Sequence, residues 1–236
     1  MRTTIAVLLL LGSTPLAANE CVILLHGLAR SASSMEEMQE ALEEEGYFTA
    51  NVDYPSRDYA VEHLAPMAVE TGLADCREQG DVHTIHFVTH SLGGILVRQY
   101  LSEFDITELG RVVMLGPPNQ GSAAVDELKD VPGFDWINGP AGRQLGKGEW
   151  HAVLALGPAN FELGVIAGTR TIDPFVSAVL ENPDDGRVSL EDTKIDGMDD
   201  FAIVKHSHAY MMKKRKPIEL TKRFLRSGKF EDADRS

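Results

Sequence analysis

Short apolar runs bounded by turn residues alternate along this chain with stretches of helical periodicity, a pattern that predicts a parallel sheet with helices on both faces. Cys21 to Leu25 reads as a fully apolar strand ending at His26-Gly27. A helix follows, capped by Ser33 or Ser34 with Glu36 or Glu37 three residues on, and Met35, Met38 and Leu42 share its apolar face until Gly46 stops it. Tyr47 to Val52 is the second strand, and Tyr59 to about Arg77 is helical, with Pro66 expected to break or kink it near the middle. Gly80 closes that unit. His83 to Thr89 is the third strand and runs almost without a loop into a helix from Leu92 to Phe104. Arg111 to Leu115, Phe161 to Gly168 and Phe201 to Lys205 are the remaining strands, and Pro217 to Arg226 is a closing helix.

Between the fourth and fifth strands lie about 45 residues, Gly116 to Asn160, rich in Gly and Pro and longer than a plain connection needs. Such an insert is expected to cover something. There is no internal repeat and no low-complexity linker, so residues 19–236 read as one domain with an insert at about 116–160.

Composition narrows the class of partner. Hydrophobic residues make up 43% and charged residues 25%, the proportions of a folded globular chain. With 22 Lys plus Arg against 36 Asp plus Glu, the net charge of −14 has the wrong sign for holding phosphate backbones, which argues against a nucleic-acid partner.

The first 18 residues read as a secretory signal peptide. Arg2 gives a positive start, Ile5 to Leu11 a short apolar run, and Gly12, Ser13, Pro15, Ala17 and Ala18 a cleavage region, with cleavage expected after Ala18. The plain alternative is an uncleaved anchor, although the run is far short of the roughly 20 residues that span a bilayer. Export to the periplasm or medium would place Cys21 and Cys76 in an oxidising compartment, where a disulfide between them is expected; two separate buried thiols are the alternative. Closing that loop would stabilise the fold by roughly 4 kcal/mol.

Thr89-His90-Ser91-Leu92-Gly93-Gly94 carries the sharpest chemistry: an apolar strand enters a serine and then a helix. A nucleophile elbow has this context, because a serine forced onto a tight strand-to-helix turn needs small neighbours two residues away on each side. Gly93 meets that demand, and Thr89 departs from the usual leading Gly. A helix N-cap serine is the bland reading. Leu25-His26-Gly27-Leu28 ends the first strand in a turn, and amides of Leu28 and Leu92 are candidate donors to an oxyanion. His26 itself reads as a structural histidine.

An acid that orients an imidazole belongs on a loop at the carboxyl end of the sheet. The turn Asn182-Pro183-Asp184-Asp185-Gly186-Arg187-Val188 offers Asp185, with Asp184 and Asp173 as runners-up. His206-Ser207-His208 follows the last strand, and His208 is preferred to His206 as general base. The chain order Ser91, Asp185, His208 is that of α/β-hydrolases.

These pieces resemble the α/β-hydrolase superfamily, and more narrowly its small secreted bacterial lipases and esterases, through HGLARS, HFVTHSLGG, PPNQGS, DGRVS and the C-terminal His. The resemblance spans roughly Cys21 to Phe230. It implies Ser91 as nucleophile, Asp185 as acid, His208 as base, and the Leu28 and Leu92 amides as the oxyanion hole. It also implies a minimal, mostly parallel sheet of about six strands without the two leading antiparallel strands of larger members. In such a fold Cys21 at a strand start and Cys76 near a helix end lie at the same end of the sheet, which suits their disulfide.

The expected activity is therefore hydrolysis of small-molecule or lipid carboxylic esters, as an esterase or lipase. An acyltransferase or thioesterase on the same residues is the near alternative, and a non-catalytic binding protein the distant one. His83-x-x-His86 and His206-x-His208 lack metal-ligand spacing, so no catalytic metal and no cofactor are expected. Trp136 and Trp150 in the insert are candidates for an acyl pocket or lid, or simply bury it. Lys213 to Lys216 with Lys222, Arg223, Arg226 and Lys229 are either a contact with anionic lipid or, more simply, a solvated helix face.

Overall fold

Strands β1 (Glu20–Leu25), β2 (Phe48–Val52), β3 (Thr84–His90), β4 (Leu109–Leu115), β5 (Leu163–Gly168) and β6 (Asp200–Val204) form one sheet in the order β2-β1-β3-β4-β5-β6. Every pairing is parallel, so the sheet is wholly rather than mostly parallel. The computed structural model describes residues 19–148, 152–172, 174–180 and 183–231. The expected signal peptide, Trp150, Asp173 and Asn182 lie outside the described residues.

Parallel strands need crossovers, supplied here largely by helices α1 (Glu36–Glu43), α2 (Val61–Glu78), α3 (Leu92–Glu103), α4 (Ala123–Leu128), α5 (Phe134–Gln144), α6 (Ala152–Ala155) and α7 (Pro174–Ser177), with α8 (Arg215–Ser227) closing the chain. Alternate side chains leave a strand on opposite faces, which divides the core in two. Ile23, Leu25, Phe87, Val112, Met114 and Val165 pack with α2 and α3, whereas Val22, Leu24, Val88, Val113, Leu115 and Ile166 pack with α1 and α8. Burial on both sides is why β1 and β5 read as near-continuous apolar runs and why β3 is apolar at Ile85, Phe87 and Val88.

One local expectation is corrected. The α2 helix continues through Pro66 without a break. Proline there removes one backbone bond, a cost of about 3 kcal/mol, but burial of Leu64, Ala65, Ala68, Val69 and Leu73 on the same helix outweighs it at roughly 1.5–3 kcal/mol for each large side chain. At Gly72 an added Cβ would come within 2.5 Å of the Ile23 side chain, so this glycine sets how closely α2 lies on β1. Cys76, in the last turn of α2, is bonded to Cys21 in β1, with Cα atoms 5.8 Å apart.

The insert after β4 folds into α4, α5 and α6 over the carboxyl end of the sheet. Its two ends converge on Arg98 of α3, which is buried and donates to the Asn119 carbonyl and side-chain oxygens and to the carbonyls of Val153 and Gly157, at 2.9 to 3.1 Å. All four acceptors are neutral, and burial pulls the guanidinium pKa down to about 10. Trp136 on α5 is 84% exposed, so it neither lines a pocket nor buries the insert. In the basic C-terminal segment, Lys222 and Arg226 pair with Glu45, and Lys213 pairs with Glu37.

Candidate active site

From β1 the chain moves to β2 on one side, then crosses back to β3 on the other. The loops leaving β1 and β3 therefore diverge at a switch point, where α/β sheets open a crevice. Gly27-Leu28 follows β1 and Ser91 follows β3, so the sequence places both motifs on the two lips of that crevice.

Ser91 has φ 53° and ψ −118°, a strained conformation for a residue with a side chain, and its amide donates to the Leu115 carbonyl at 2.9 Å. Two glycines make room for it. A Cβ on Gly93 would sit 2.6 Å from the Leu25 carbonyl oxygen, and one on Gly27 would sit 2.7 Å from the His90 ring and 3.2 Å from the Ser91 Cβ. Backbone thus passes against backbone where the turn is tightest. Leu92 opens α3, so its amide belongs to the helix end that has no acceptor within its own helix. Leu28 lies across the crevice.

Asp185 and His208 meet although 23 residues separate them. His208 Nδ1 donates to Asp185 Oδ2 at 2.8 Å, while the other carboxylate oxygen accepts amides of Arg187 at 3.0 Å and Val188 at 2.9 Å. The His208 amide also donates to the Asp185 carbonyl at 2.9 Å, tying the two loops together. Asp185 is buried and fully bonded, which fixes the carboxylate against the ring and leaves Nε2 of His208 as the nitrogen not engaged by it. Asp184 turns elsewhere, accepting from the Ser177 hydroxyl at 2.5 Å and the Gly186 amide at 2.7 Å. His206 is half-buried, its pKa lowered by burial and by Lys214 and Arg170.

Ser91 and His208 open onto one cavity of about 680 Å³. Its walls are largely apolar, with Leu28 on one side and Leu128, Val131, Phe134, Ile137 and Leu145 from the insert on the other. What the insert covers is therefore the crevice above Ser91.

Two further histidines surround the elbow. His26 is buried, donates from Nδ1 to the Gly27 carbonyl at 2.9 Å and stacks on Tyr54, whose hydroxyl donates to the His26 carbonyl. Burial lowers its pKa, as befits the structural role read from the sequence. His90 was not singled out by sequence reasoning. It is buried, donates from Nε2 to the His208 carbonyl at 2.9 Å, and places its ring 4.7 Å from that of His208. Burial, reinforced by His208 and Arg30, holds its pKa well below the ordinary histidine value. Its partner lies 118 residues away, so no local signal could have announced it. Among the described residues, no group of three or more His, Cys, Asp or Glu side chains is arranged to hold a metal ion.

The parallel sheet, the elbow serine and the crevice define an α/β-hydrolase fold. The chain belongs to the palmitoyl protein thioesterase family, whose profile matches residues 21–154. In solved structures the fold recurs in the Bacillus licheniformis lipase BlEst2 in mature form, at TM-score 0.66 and 18% identity over 85% of this chain and 89% of that one. The metagenomic carboxyl esterase MGS0156 aligns at TM-score 0.64 and 20% identity, over 84% and 68%. The Legionella pneumophila phospholipase PlaB aligns at 0.59 and 21%, over 74% of this chain and 45% of that one. A search of curated proteins finds no match.

Proposed function

We propose that the protein is a serine hydrolase of carboxylic acyl esters. The observation carrying this reading is that Ser91, in its strained turn, and His208, held by Asp185, open together onto an apolar cavity. In the proposed cycle His208 Nε2 takes the Ser91 proton as the hydroxyl attacks the acyl carbonyl. The Leu28 and Leu92 amides receive the oxyanion, and protonated His208 returns the proton to the leaving alcohol. Water then repeats the sequence on the acyl-enzyme, so the ester yields acid and alcohol.

The apolar chamber under the insert supports an aliphatic acyl group as the part retained in the acyl-enzyme. Membership of the palmitoyl protein thioesterase family favours a second reading, in which the leaving group is a thiol. The same atoms serve both, because only the departing heteroatom differs. A disulfide at Cys21 and Cys76 suits an exported enzyme, with residues 1–18 as the removable address.

Ser91→Ala tests the reading. It is expected to abolish turnover of short p-nitrophenyl esters and acyl thioesters and to abolish labelling by a fluorophosphonate, with unchanged far-UV circular dichroism. Undiminished turnover in the variant would show that another residue is the nucleophile.

A further inference from the structure

The chain carries 36 acidic residues against 22 basic ones, yet among the described residues lining the active-site cavity there is no Asp or Glu. The charged lining consists of Arg30 and Arg187. Among the described residues, carboxylates are thus kept from the lining of this opening while two guanidinium groups stand in it. Coulomb attraction in a crevice with apolar walls is stronger than on open surface, so the arrangement favours an anion at the mouth.

Arg30 is the informative member. It lies two residues beyond Leu28 on the loop after β1, is exposed at the rim, and donates to the carbonyl of Ala209 at 3.3 Å. Ala209 directly follows His208, so the guanidinium spans the gap between the proposed oxyanion loop and the proposed base. Among the described residues no carboxylate pairs with it, whereas Arg77, Arg111, Arg143 and Arg226 each have one. One carbonyl uses one of its five donors and leaves a planar fork able to meet a phosphate or carboxylate.

Direction follows from the chemistry. The apolar chamber lies beneath the insert, and the leaving group departs toward the imidazole that protonates it. A cation bonded beside His208 therefore faces the leaving group and not the acyl chain.

We propose that Arg30 is a specificity-determining residue that recognises an anionic group, phosphate or carboxylate, on the leaving-group side of the substrate. The preferred substrate class is then an acyl ester or thioester whose alcohol or thiol portion carries negative charge. This rests on the acyl-hydrolase reading above and adds to it the charge of the departing half.

The test compares soluble hexanoyl esters in matched pairs: hexanoylglycerol with hexanoylglycerol phosphate, and p-nitrophenyl hexanoate with its ring-carboxylated analogue. The wild type is expected to show higher kcat/KM for the anionic member, and Arg30→Gln to lower the anionic-to-neutral ratio about tenfold, the worth of one charge-assisted contact. Arg30→Lys should retain part of the ratio, and salt should erode it in the wild type because the group is exposed. Whichever pair shows the effect names the anion. A ratio unchanged by Arg30→Gln overturns the inference while leaving the hydrolase reading intact. Should Arg30→Gln not fold, a wild-type ratio insensitive to salt overturns it. Turnover of neither neutral nor anionic esters overturns the hydrolase reading and this inference with it.

Discussion

The ring of His90 donates from Nε2 to the backbone carbonyl of His208 at 2.9 Å, so the residue before the elbow serine holds the loop that carries the proposed base. His90 Nδ1 is buried with no hydrogen-bond partner among the described residues, a cost of about 1–3 kcal/mol in an apolar setting that an ordinary core side chain would avoid. His90→Phe keeps an aromatic ring and removes the donor. Loss of that tether is expected to lower kcat by about ten- to a hundredfold through misplacement of His208, with little change in KM. His90→Gln, which can present an amide donor to the same carbonyl, should recover part of the rate. Steady-state kinetics of the two variants checks this, and equal damage from both would count against the tether.

Asp184 and Asp185 are adjacent acids with different work. Asp185→Asn is expected to cut kcat by about 10³- to 10⁴-fold, because the amide cannot favour the imidazolium and invites the wrong tautomer. Asp184→Asn instead weakens the turn held by Ser177 and Gly186, costing about 1 kcal/mol of stability and leaving the pH profile of kcat in place. Kinetics and chemical denaturation on both variants separate the roles.

Stability should fall on mild acidification. His26, His86 and His90 are buried, and burial is the leading cause that lowers each pKa. Below the unfolded value near 6.5 the unfolded chain binds protons that the folded chain does not, so stability rises with pH in that window. The contribution is present above about 6.5 and is lost as pH falls toward the folded values, at up to about 1.4 kcal/mol per pH unit for each histidine. Urea unfolding at neutral and mildly acidic pH measures the slope, which should be shallower in His90→Phe. A flat profile between those conditions would contradict the assignment.

Arg98 fastens both ends of the insert to α3. Arg98→Met is expected to leave its carbonyl acceptors dry and unpaired, costing about 1–3 kcal/mol. Hydrogen exchange should accelerate in residues 119–157 while β1, β3 and β4 keep their protection. Uniform exchange across the sheet and insert would mean that the arginine supports the whole fold and not this segment.

Much of the architecture was legible because burial on both faces writes itself along a strand. Cys21 to Leu25, fully apolar, and His83 to Thr89, with Ile85, Phe87 and Val88 at its centre, were readable as strands, and their observed bounds differ by a residue or so. Pro66 misled because local backbone preference was weighed without the packing that overrides it. The disulfide between Cys21 and Cys76 was expected from export of a chain with two cysteines, and the fold implied by the resemblance put both at the same end of the sheet.

At the site, sequence alone determined the elbow: a strand, Ser91 and Gly93 in succession leave few conformations, and those constraints act between neighbours along the chain. Tertiary structure decided which of two adjacent aspartates faces His208, that His90 reaches the same loop, and that among the described residues Arg30 lines the cavity while no Asp or Glu does. Such choices depend on where separate loops meet at the end of the sheet. Distances between them arise from packing of the whole core, which no local pattern encodes.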